Sequence, residues 1–105
     1  MKQLVYYSTA AGKEPCRDWL NDLGLTDQAA IHAYIDRVAM GGAKKNVKPL
    51  GDSIFEIKID RGPGFRVYFG QVGQKIILLL IGGDKGSQKR DIRLAKEYWR
   101  DYESR

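Results

Sequence analysis

The sequence has very few of the residues from which disulfides and metal sites are built. Among its 105 residues, Cys16 is the single cysteine and His32 the single histidine. A lone cysteine excludes an internal disulfide and a cysteine-based metal site, and it fits a reducing cytosol. His32 precedes Asp36 by four residues, which indicates a surface pair on a helix. The carboxylates show no metal-ligand spacing, so we expect neither a metal nor another cofactor.

Other familiar segments are absent as well. No apolar run approaches the roughly 18 residues of a membrane span, and the polar start of the chain is too short for a signal peptide. There is no P-loop motif. Gly62-Pro63-Gly64 lacks the third glycine of a dinucleotide-binding fingerprint and is typical of a hairpin turn. We therefore expect a cytoplasmic location and no contact with a membrane.

Positive charge, in contrast, is in excess. The chain has 18 lysines and arginines against 13 acidic residues, a net charge of +5 and a pI near 9.4. Such a balance favours anionic partners through counterion release and long-range steering, although it also simply keeps a small protein in solution. The length allows one domain, spanning residues 1–105.

Two segments near the start have the spacing of amphipathic helices. Apolar residues recur at i, i+3, i+4 and i+7 at Cys16, Trp19, Leu20 and Leu23, and again at Ile31, Tyr34, Ile35 and Val38. Gly24 separates the two segments, and Gly41-Gly42 ends the second. The pattern predicts a helical hairpin after a short strand at residues 4–8.

After the basic loop at 43–47, the apolar period becomes that of a strand. Apolar and polar residues alternate through 55–60 and 65–69, and residues 75–81 form a nearly unbroken apolar run typical of a central strand. Ser87 is placed to cap a last helix. The order β-α-α-β-β-β-α predicts an α+β fold with an antiparallel sheet. We expect the N-terminal hairpin and the C-terminal helix to lie over one face and leave the other partly open.

Strand alternation also predicts which charged side chains meet. Both apolar sets reach the core if Lys58 lies opposite Arg66 and Glu56 opposite Tyr68, because a one-residue slip would reverse a strand. Two cations, a carboxylate and a phenol would then share the outer face. The plainer alternative is that these are ordinary solvated strand residues, with Glu56 as a cross-strand ion partner.

Lys48 and Lys85 lie at strand ends that can border the same face. Crowded cations repel one another, which favours the loss of a proton and makes Lys48 or Lys58 usable as a general base near neutral pH. The guanidinium of Arg66 can bind two phosphate oxygens at once, and Glu56 can orient or assist these groups. The candidate catalytic residues are Lys48, Glu56, Lys58, Arg66 and Lys85.

A second set of residues is suited to contacts with a nucleic acid: Lys44, Lys45, Arg61, Tyr68 and Asp84. Tyr68 can stack on an unpaired base, and the loop lysines can steer a polyanion. Asp84 and Lys85 begin the last helix, where backbone N–H groups can bind an anion and Asp84 can act as an acid or an orienting group. The plainer alternatives are an amphipathic strand residue, loop charges and a capped turn.

Several short segments resemble a known family in their order and spacing. They are Val47-Lys48-Pro49-Leu50-Gly51, Phe55-Glu56-Ile57-Lys58-Ile59, Gly62-Pro63-Gly64-Phe65-Arg66-Val67-Tyr68 and Leu79-Leu80-Ile81-Gly82-Gly83-Asp84-Lys85, followed by Gln88, Asp91-Ile92 and Ala95. Together they resemble the HigB-like addiction-module killer proteins of the RelE/ParE toxin superfamily. The resemblance covers essentially the whole chain.

This resemblance implies a RelE-like fold and a growth-inhibiting toxin of the bacterial cytoplasm. It also implies a cognate antitoxin, expected to be a helix-turn-helix protein, and metal-independent cleavage of messenger RNA on the ribosome. In related nucleases the ribose 2′-hydroxyl is deprotonated for in-line attack on the adjacent phosphate. By motif position, Lys48, Glu56, Lys58, Arg66 and Lys85 would carry this reaction.

Two departures from the family pattern leave alternatives open. Lys58 stands where many relatives have an arginine, and a lysine cannot form a bidentate clamp. The late tyrosine or histidine used as an acid–base group in some relatives has no evident counterpart, so the proton donor is unassigned, with Asp84 and Lys85 as candidates. The alternatives are a ParE-like toxin that inhibits DNA gyrase without catalysis, and a non-catalytic module that binds a nucleic acid or a protein.

Overall fold

A computed structural model describes all 105 residues, which form one sheet of five strands and three α-helices. The strands are β1 (Gln3–Tyr6), β2 (Val47–Gly51), β3 (Ile54–Ile59), β4 (Phe65–Val72) and β5 (Ile76–Gly83); the helices are α1 (Pro15–Asn21), α2 (Leu25–Ala39) and α3 (Gln88–Glu103). Short 3-10 turns at Lys44–Asn46 and Lys85–Ser87 precede β2 and α3. The fold class is α+β, as predicted. No helix combines the length and the apolar character needed to cross a bilayer.

The sheet is mixed and has the strand order β1-β5-β4-β3-β2. The prediction of an antiparallel sheet was correct for β3, β4 and β5 but wrong for β1, which pairs with β5 in parallel. The long intervening chain, with both α1 and α2, permits this parallel return. The prediction also missed β2 as a strand. Pro49 and a register shift between Pro49 and Gly51 mask its pattern, and proline is tolerated there because β2 is an edge strand.

The predicted register between β3 and β4 is confirmed. Lys58 pairs with Arg66, and Glu56 pairs with Tyr68. On the other side of β3, Lys48 of β2 pairs with Glu56. Because directly paired residues of a sheet point to the same face, all five side chains share one side of the sheet.

The opposite face is covered by α1 and α2, as the sequence predicts. Its core contains only apolar side chains and the thiol of Cys16, among them Leu20 of α1 and Ile31 of α2. Trp19 of α1 packs directly on the backbone of β5 at Gly82, where any Cβ atom would overlap the indole ring. This face therefore holds the N-terminal hairpin by apolar contact.

The face expected to be partly open is covered by α3, so that expectation was wrong. Tyr68, Leu78 and Leu80 of the sheet form a second core with Ala95 and Trp99 of α3. The physical reason is that β5 is apolar on both sides and must be covered on both. Trp99 fits against Gly70, where a Cβ atom would overlap its ring.

Candidate active site

The candidate catalytic residues lie in two neighbouring rows on the α3 face. Lys48, Glu56 and Tyr68 form one row across β2, β3 and β4, and Lys58 and Arg66 form the next. The first turn of α3 reaches this place, because the Gln88 side-chain N–H donates to the Glu56 carboxylate at 2.9 Å. The sheet and the start of α3 thus bring four of the five predicted catalytic residues together.

Lys85, the fifth, approaches Arg66 across Gly64. A Cβ atom at Gly64 would lie 3.3 Å from Arg66 Nη1 and 3.6 Å from Lys85 Cβ. Gly64 has φ +80, a left-handed conformation that a glycine adopts readily. Because Gly64 has no side chain, the turn between β3 and β4 leaves room for the side chains of both Arg66 and Lys85 beside its backbone.

Arg66 and Glu56 form a buried ion pair. Their residues are 7% and 4% exposed, which corrects the expectation that Arg66 is an open surface residue. Arg66 Nε lies 3.8 Å from Glu56 Oε2, too far for a hydrogen bond. Arg66 donates one hydrogen bond, from Nη1 to the Gly64 carbonyl at 2.9 Å, while its buried Nε has no partner. The guanidinium thus has unused donors in a site that is shielded from solvent.

Tyr68 has no exposed surface, so the expectation that its ring stacks on an unpaired base was wrong. The strand alternation correctly gave its face, but that face is covered by α3. Burial and then the negative charge of Glu56 raise the pKa of Tyr68 above its ordinary value. Its hydroxyl therefore stays protonated at neutral pH, next to the Glu56–Arg66 pair and without a hydrogen-bond partner.

Three lysines border this buried pair and are exposed. Lys48, Lys58 and Lys85 reach solvent, and none of them lies within 4.0 Å of a carboxylate oxygen. A phosphate approaching the site would therefore meet free ammonium groups first and the guanidinium beneath them. The arrangement can hold an anion, and it offers amines for proton transfer.

Asp84 has a structural role in the turn before α3. Its carboxylate accepts hydrogen bonds from the backbone N–H groups of Gly86 and Ser87, at 2.7 and 3.2 Å. Ser87 Oγ accepts from the Asp84 backbone N–H at 3.1 Å, which completes a capping box. The plainer alternative, a capped turn, describes this segment, because these two N–H groups are already used and not presented to an anion.

Three further predicted contacts lie elsewhere. Arg61 Nε donates to Asp27 of α2 at 2.8 Å, which directs this side chain toward the opposite face of the sheet. Lys44 lines a cavity with Phe55 and Phe69 of that same face. Lys45 is exposed in the 3-10 turn before β2. The structure does not bring Arg61 or Lys44 to the buried pair.

Sequence reasoning missed Asp91, a fully buried carboxylate of α3. Ser87 Oγ donates to Asp91 Oδ2 at 2.5 Å, and Asp91 packs against Gly83, where a Cβ atom would overlap it. The available signal was its position four residues before Ala95 and eight before Trp99, which places it on the buried stripe of α3. Asp91 therefore anchors the start of α3 beside the candidate site.

The fold and the site together define a small, basic α+β domain whose C-terminal helix covers a buried carboxylate–guanidinium pair ringed by exposed lysines. Residues 18–100 match the family model "Phage derived protein Gp49-like (DUF891)". An uncharacterised protein of Haemophilus influenzae (strain ATCC 51907 / DSM 11121 / KW20 / Rd) is 42% identical over 79 residues, which cover 74% of this chain and 79% of that protein.

The chain belongs to the Gp49-like phage-derived protein family. This is a toxin-like family related to addiction modules, and membership suggests a toxin module with a cognate antitoxin as its partner. At this level the relationship to addiction modules inferred from the sequence motifs is confirmed.

Proposed function

We propose that the protein is the toxin of a type II toxin–antitoxin system and an endoribonuclease that cleaves messenger RNA on the ribosome, as HigB-like members of the RelE/ParE superfamily do. The observation that carries the proposal is the buried Arg66, which has unused N–H donors and is surrounded by unpaired lysines. A site without a polyanionic substrate would gain nothing from this crowding of cations.

The proposed reaction begins at the ribose. Lys48 or Lys58 acts as the general base that takes the proton of the 2′-hydroxyl, and the oxygen attacks the adjacent phosphorus in line. The bond to the 5′-oxygen then breaks, which leaves a 2′,3′-cyclic phosphate and a 5′-hydroxyl end. Since Asp84 is occupied in its capping box, Lys85 is the candidate that protonates the departing 5′-oxygen.

Arg66 stabilises the negative charge that develops on the phosphate. Its present partner is a carboxylate at 3.8 Å, and a phosphate at the site would satisfy the donors that this long contact leaves free. Charge–charge interactions are stronger in a buried site than in water. Glu56, fixed by Gln88, keeps the guanidinium in place.

The test is to express the protein in cells and map the 5′ ends of messenger RNA, with Arg66→Lys and Lys48→Ala as site variants. Arg66→Lys keeps the charge but loses the fork, and we expect cleavage to fall about 100-fold or more. Arg37→Lys is the matched control, because Arg37 is exposed on α2 and contacts Tyr34. Intact messages together with failing DNA supercoiling would contradict the proposal and favour gyrase as the target.

A further inference from the structure

The exposed side of α3 carries a row of cations that the candidate active site does not use. Lys89, Arg93, Lys96 and Arg100 follow one another at intervals of four, three and four residues, which places them on one line along a helix. All four are exposed. We call them the α3 cation row.

No member of the α3 cation row forms an ion pair. Five other basic residues do, including Arg90 on the same helix, which pairs with Asp91. Like charges three or four residues apart destabilise a helix, and a chain selected only for stability would alternate the signs. Glu97 and Glu103 lie three or four residues from Arg93 and Arg100, but they pair with neither. The row is therefore suited to a partner that brings negative charge.

The row begins at the candidate active site. Lys89 follows Gln88, whose side chain contacts Glu56. From there the row extends roughly 16 Å along α3, at about 1.5 Å per residue. A chain bound in the site can thus continue along the row without leaving the surface.

The far end of the row borders a cavity. A space of about 320 Å³ separates α3 from the turn between β2 and β3, and Lys96 and Arg100 line it with Trp99 and Ser53. Two carboxylates, Asp52 and Glu103, line it as well. The indole N–H of Trp99 is buried without an acceptor. At this end of the row Lys96 and Arg100 therefore face an open space that a bound chain can enter.

We propose that the α3 cation row binds the sugar–phosphate backbone of the single-stranded RNA that extends from the active site. The proposal rests on the proposed function, since it identifies where the substrate strand lies beyond the cleaved bond. RNA fits better than an acidic polypeptide because the row is regular, its steps of about 5–6 Å suit successive phosphates, and it starts at the catalytic residues. None of the four side chains of the row is aromatic, so binding there is independent of base sequence.

The experiment measures binding of 2′-O-methyl RNA oligonucleotides, which lack the attacking hydroxyl and are not cleaved. One oligonucleotide of about 12 nucleotides reaches along the row, and one of about four occupies the active site alone. The variant replaces all four residues of the row by glutamine. The matched control is Lys13→Gln/Arg17→Gln/Arg37→Gln/Lys75→Gln, which removes the same charge from exposed residues on other elements.

For the row variant, we expect affinity for the long oligonucleotide to fall on the order of 100-fold at about 0.1 M salt. Its salt dependence should become shallower by about 0.7 in log–log slope for each lost contact. Affinity for the short oligonucleotide should change less than about twofold, and the control variant should bind both as the wild type does. Circular dichroism checks that each variant is folded.

Equal losses in the row and control variants, or no loss in the row variant, would overturn the proposal. Polyglutamate serves as a second probe. The proposal would also be overturned if the row variant lost binding to polyglutamate while its RNA binding stayed intact, because the row would then bind an acidic polypeptide. The proposed function is tested separately. If Arg66→Lys abolishes cleavage while the row variant binds RNA normally, the proposed role of the α3 cation row is wrong and the proposed nuclease function is supported. If the wild type binds RNA through the row but does not cleave RNA, the role of the row is supported and the nuclease function is wrong.

Discussion

The two faces of the sheet differ in what they bury. Under α1 and α2 the core consists of apolar side chains and one thiol. Under α3 lie all three of the buried charged residues, Glu56, Arg66 and Asp91. The same face holds every buried side-chain donor that lacks a partner, namely Arg66 Nε, the Tyr68 hydroxyl and Trp99 Nε1. One face is thus built for stability, while the other retains groups that cost stability.

The cost on the α3 face is considerable. A buried polar group without a partner costs about 1–3 kcal/mol, comparable to a substantial part of the stability of a small domain. A chain gains by retaining such groups only if they perform some task in the folded state. The contrast between the faces therefore points to the α3 face as the functional one, and it can be tested by substitutions on each side.

The largest loss of stability is expected from Leu20→Ala on the apolar face. Leu20 is 1% exposed, so the variant loses buried apolar surface and leaves a cavity, at about 3–4 kcal/mol of unfolding free energy. Urea denaturation measures this change. Leu25→Ala is the control, because Leu25 is 83% exposed and its change should be under about 0.5 kcal/mol. The rate of RNA cleavage per folded molecule should not change. A loss of cleavage beyond the loss of folded protein would contradict the assignment of function to the α3 face alone.

Next comes the buried ion pair of the α3 face. Arg66→Met leaves Glu56 buried without its cation, which should cost about 3 kcal/mol. Glu56→Gln/Arg66→Met should recover most of that stability, because a neutral, well-packed pair replaces two desolvated charges. Neither variant should cleave RNA. A double variant as unstable as the single one would show that the pair itself stabilises the fold.

A third comparison uses the two glycines that each accept a tryptophan. Gly70→Ala and Gly82→Ala both place a Cβ atom on an indole ring, and each should cost about 2 kcal/mol through overpacking. Only Gly70→Ala should also reduce cleavage, because it displaces α3 from the candidate site. Thermal denaturation and messenger RNA end mapping measure the two effects. Equal loss of cleavage in both variants would contradict the assignment of function to one face.

Alkaline pH should destabilise both faces of the sheet, because burial raises the pKa of the Cys16 thiol, on the α1 and α2 face, to about 12. On the α3 face the groups with raised pKa values are phenols. Burial and a hydrogen bond to Asp101 raise the pKa of Tyr7 to about 12, and burial also raises the pKa values of Tyr68 and Tyr98. A raised folded-state pKa contributes stability below the unfolded value near 10, which is lost as pH rises toward 12. Tyr7→Phe should make this decline shallower by up to about 1 kcal/mol per pH unit. Urea denaturation at successive pH values measures the slope. An unchanged slope would show that Tyr7 does not contribute to the loss of stability at alkaline pH.

The smallest effect on stability is expected at the exposed lysines. Lys48→Ala and Lys58→Ala should each change the unfolding free energy by less than about 0.5 kcal/mol, because neither residue is buried or paired. The variant that removes the general base should nevertheless lose about 100-fold or more in cleavage. A similar small loss in both variants would mean that neither lysine is the base.

The sequence predicted the parts of this fold that depend on local periodicity. Helical spacing located α1 and α2, and the two-residue alternation set Lys58 opposite Arg66. Alternation tells which side a strand residue takes, but not whether that side is covered. For this reason Arg66 and Tyr68 were placed on the correct face and wrongly expected to be exposed.

The sequence pattern could not predict the features that depend on contacts between distant parts of the chain. The parallel pairing of β1 with β5 depends on how the chain returns after more than 60 residues, and local spacing carries no such information. The short β2 was hidden by Pro49. Asp91 was missed because a charged residue on an apolar stripe is ordinarily taken as its boundary, whereas here Ser87 satisfies it.

The positions of the two tryptophans have a practical consequence for fluorescence measurements. Each tryptophan packs against the backbone of a glycine, and the two lie on opposite sides of the sheet. Trp19 contacts Gly82 and Trp99 contacts Gly70, and the chain contains no other tryptophan. Replacing one of them by phenylalanine leaves a single tryptophan, which can be excited at wavelengths where the tyrosines do not absorb and then reports on one helix alone. Emission spectra of the two variants can therefore follow the release of α1 and of α3 as separate optical signals during denaturation or when a partner binds.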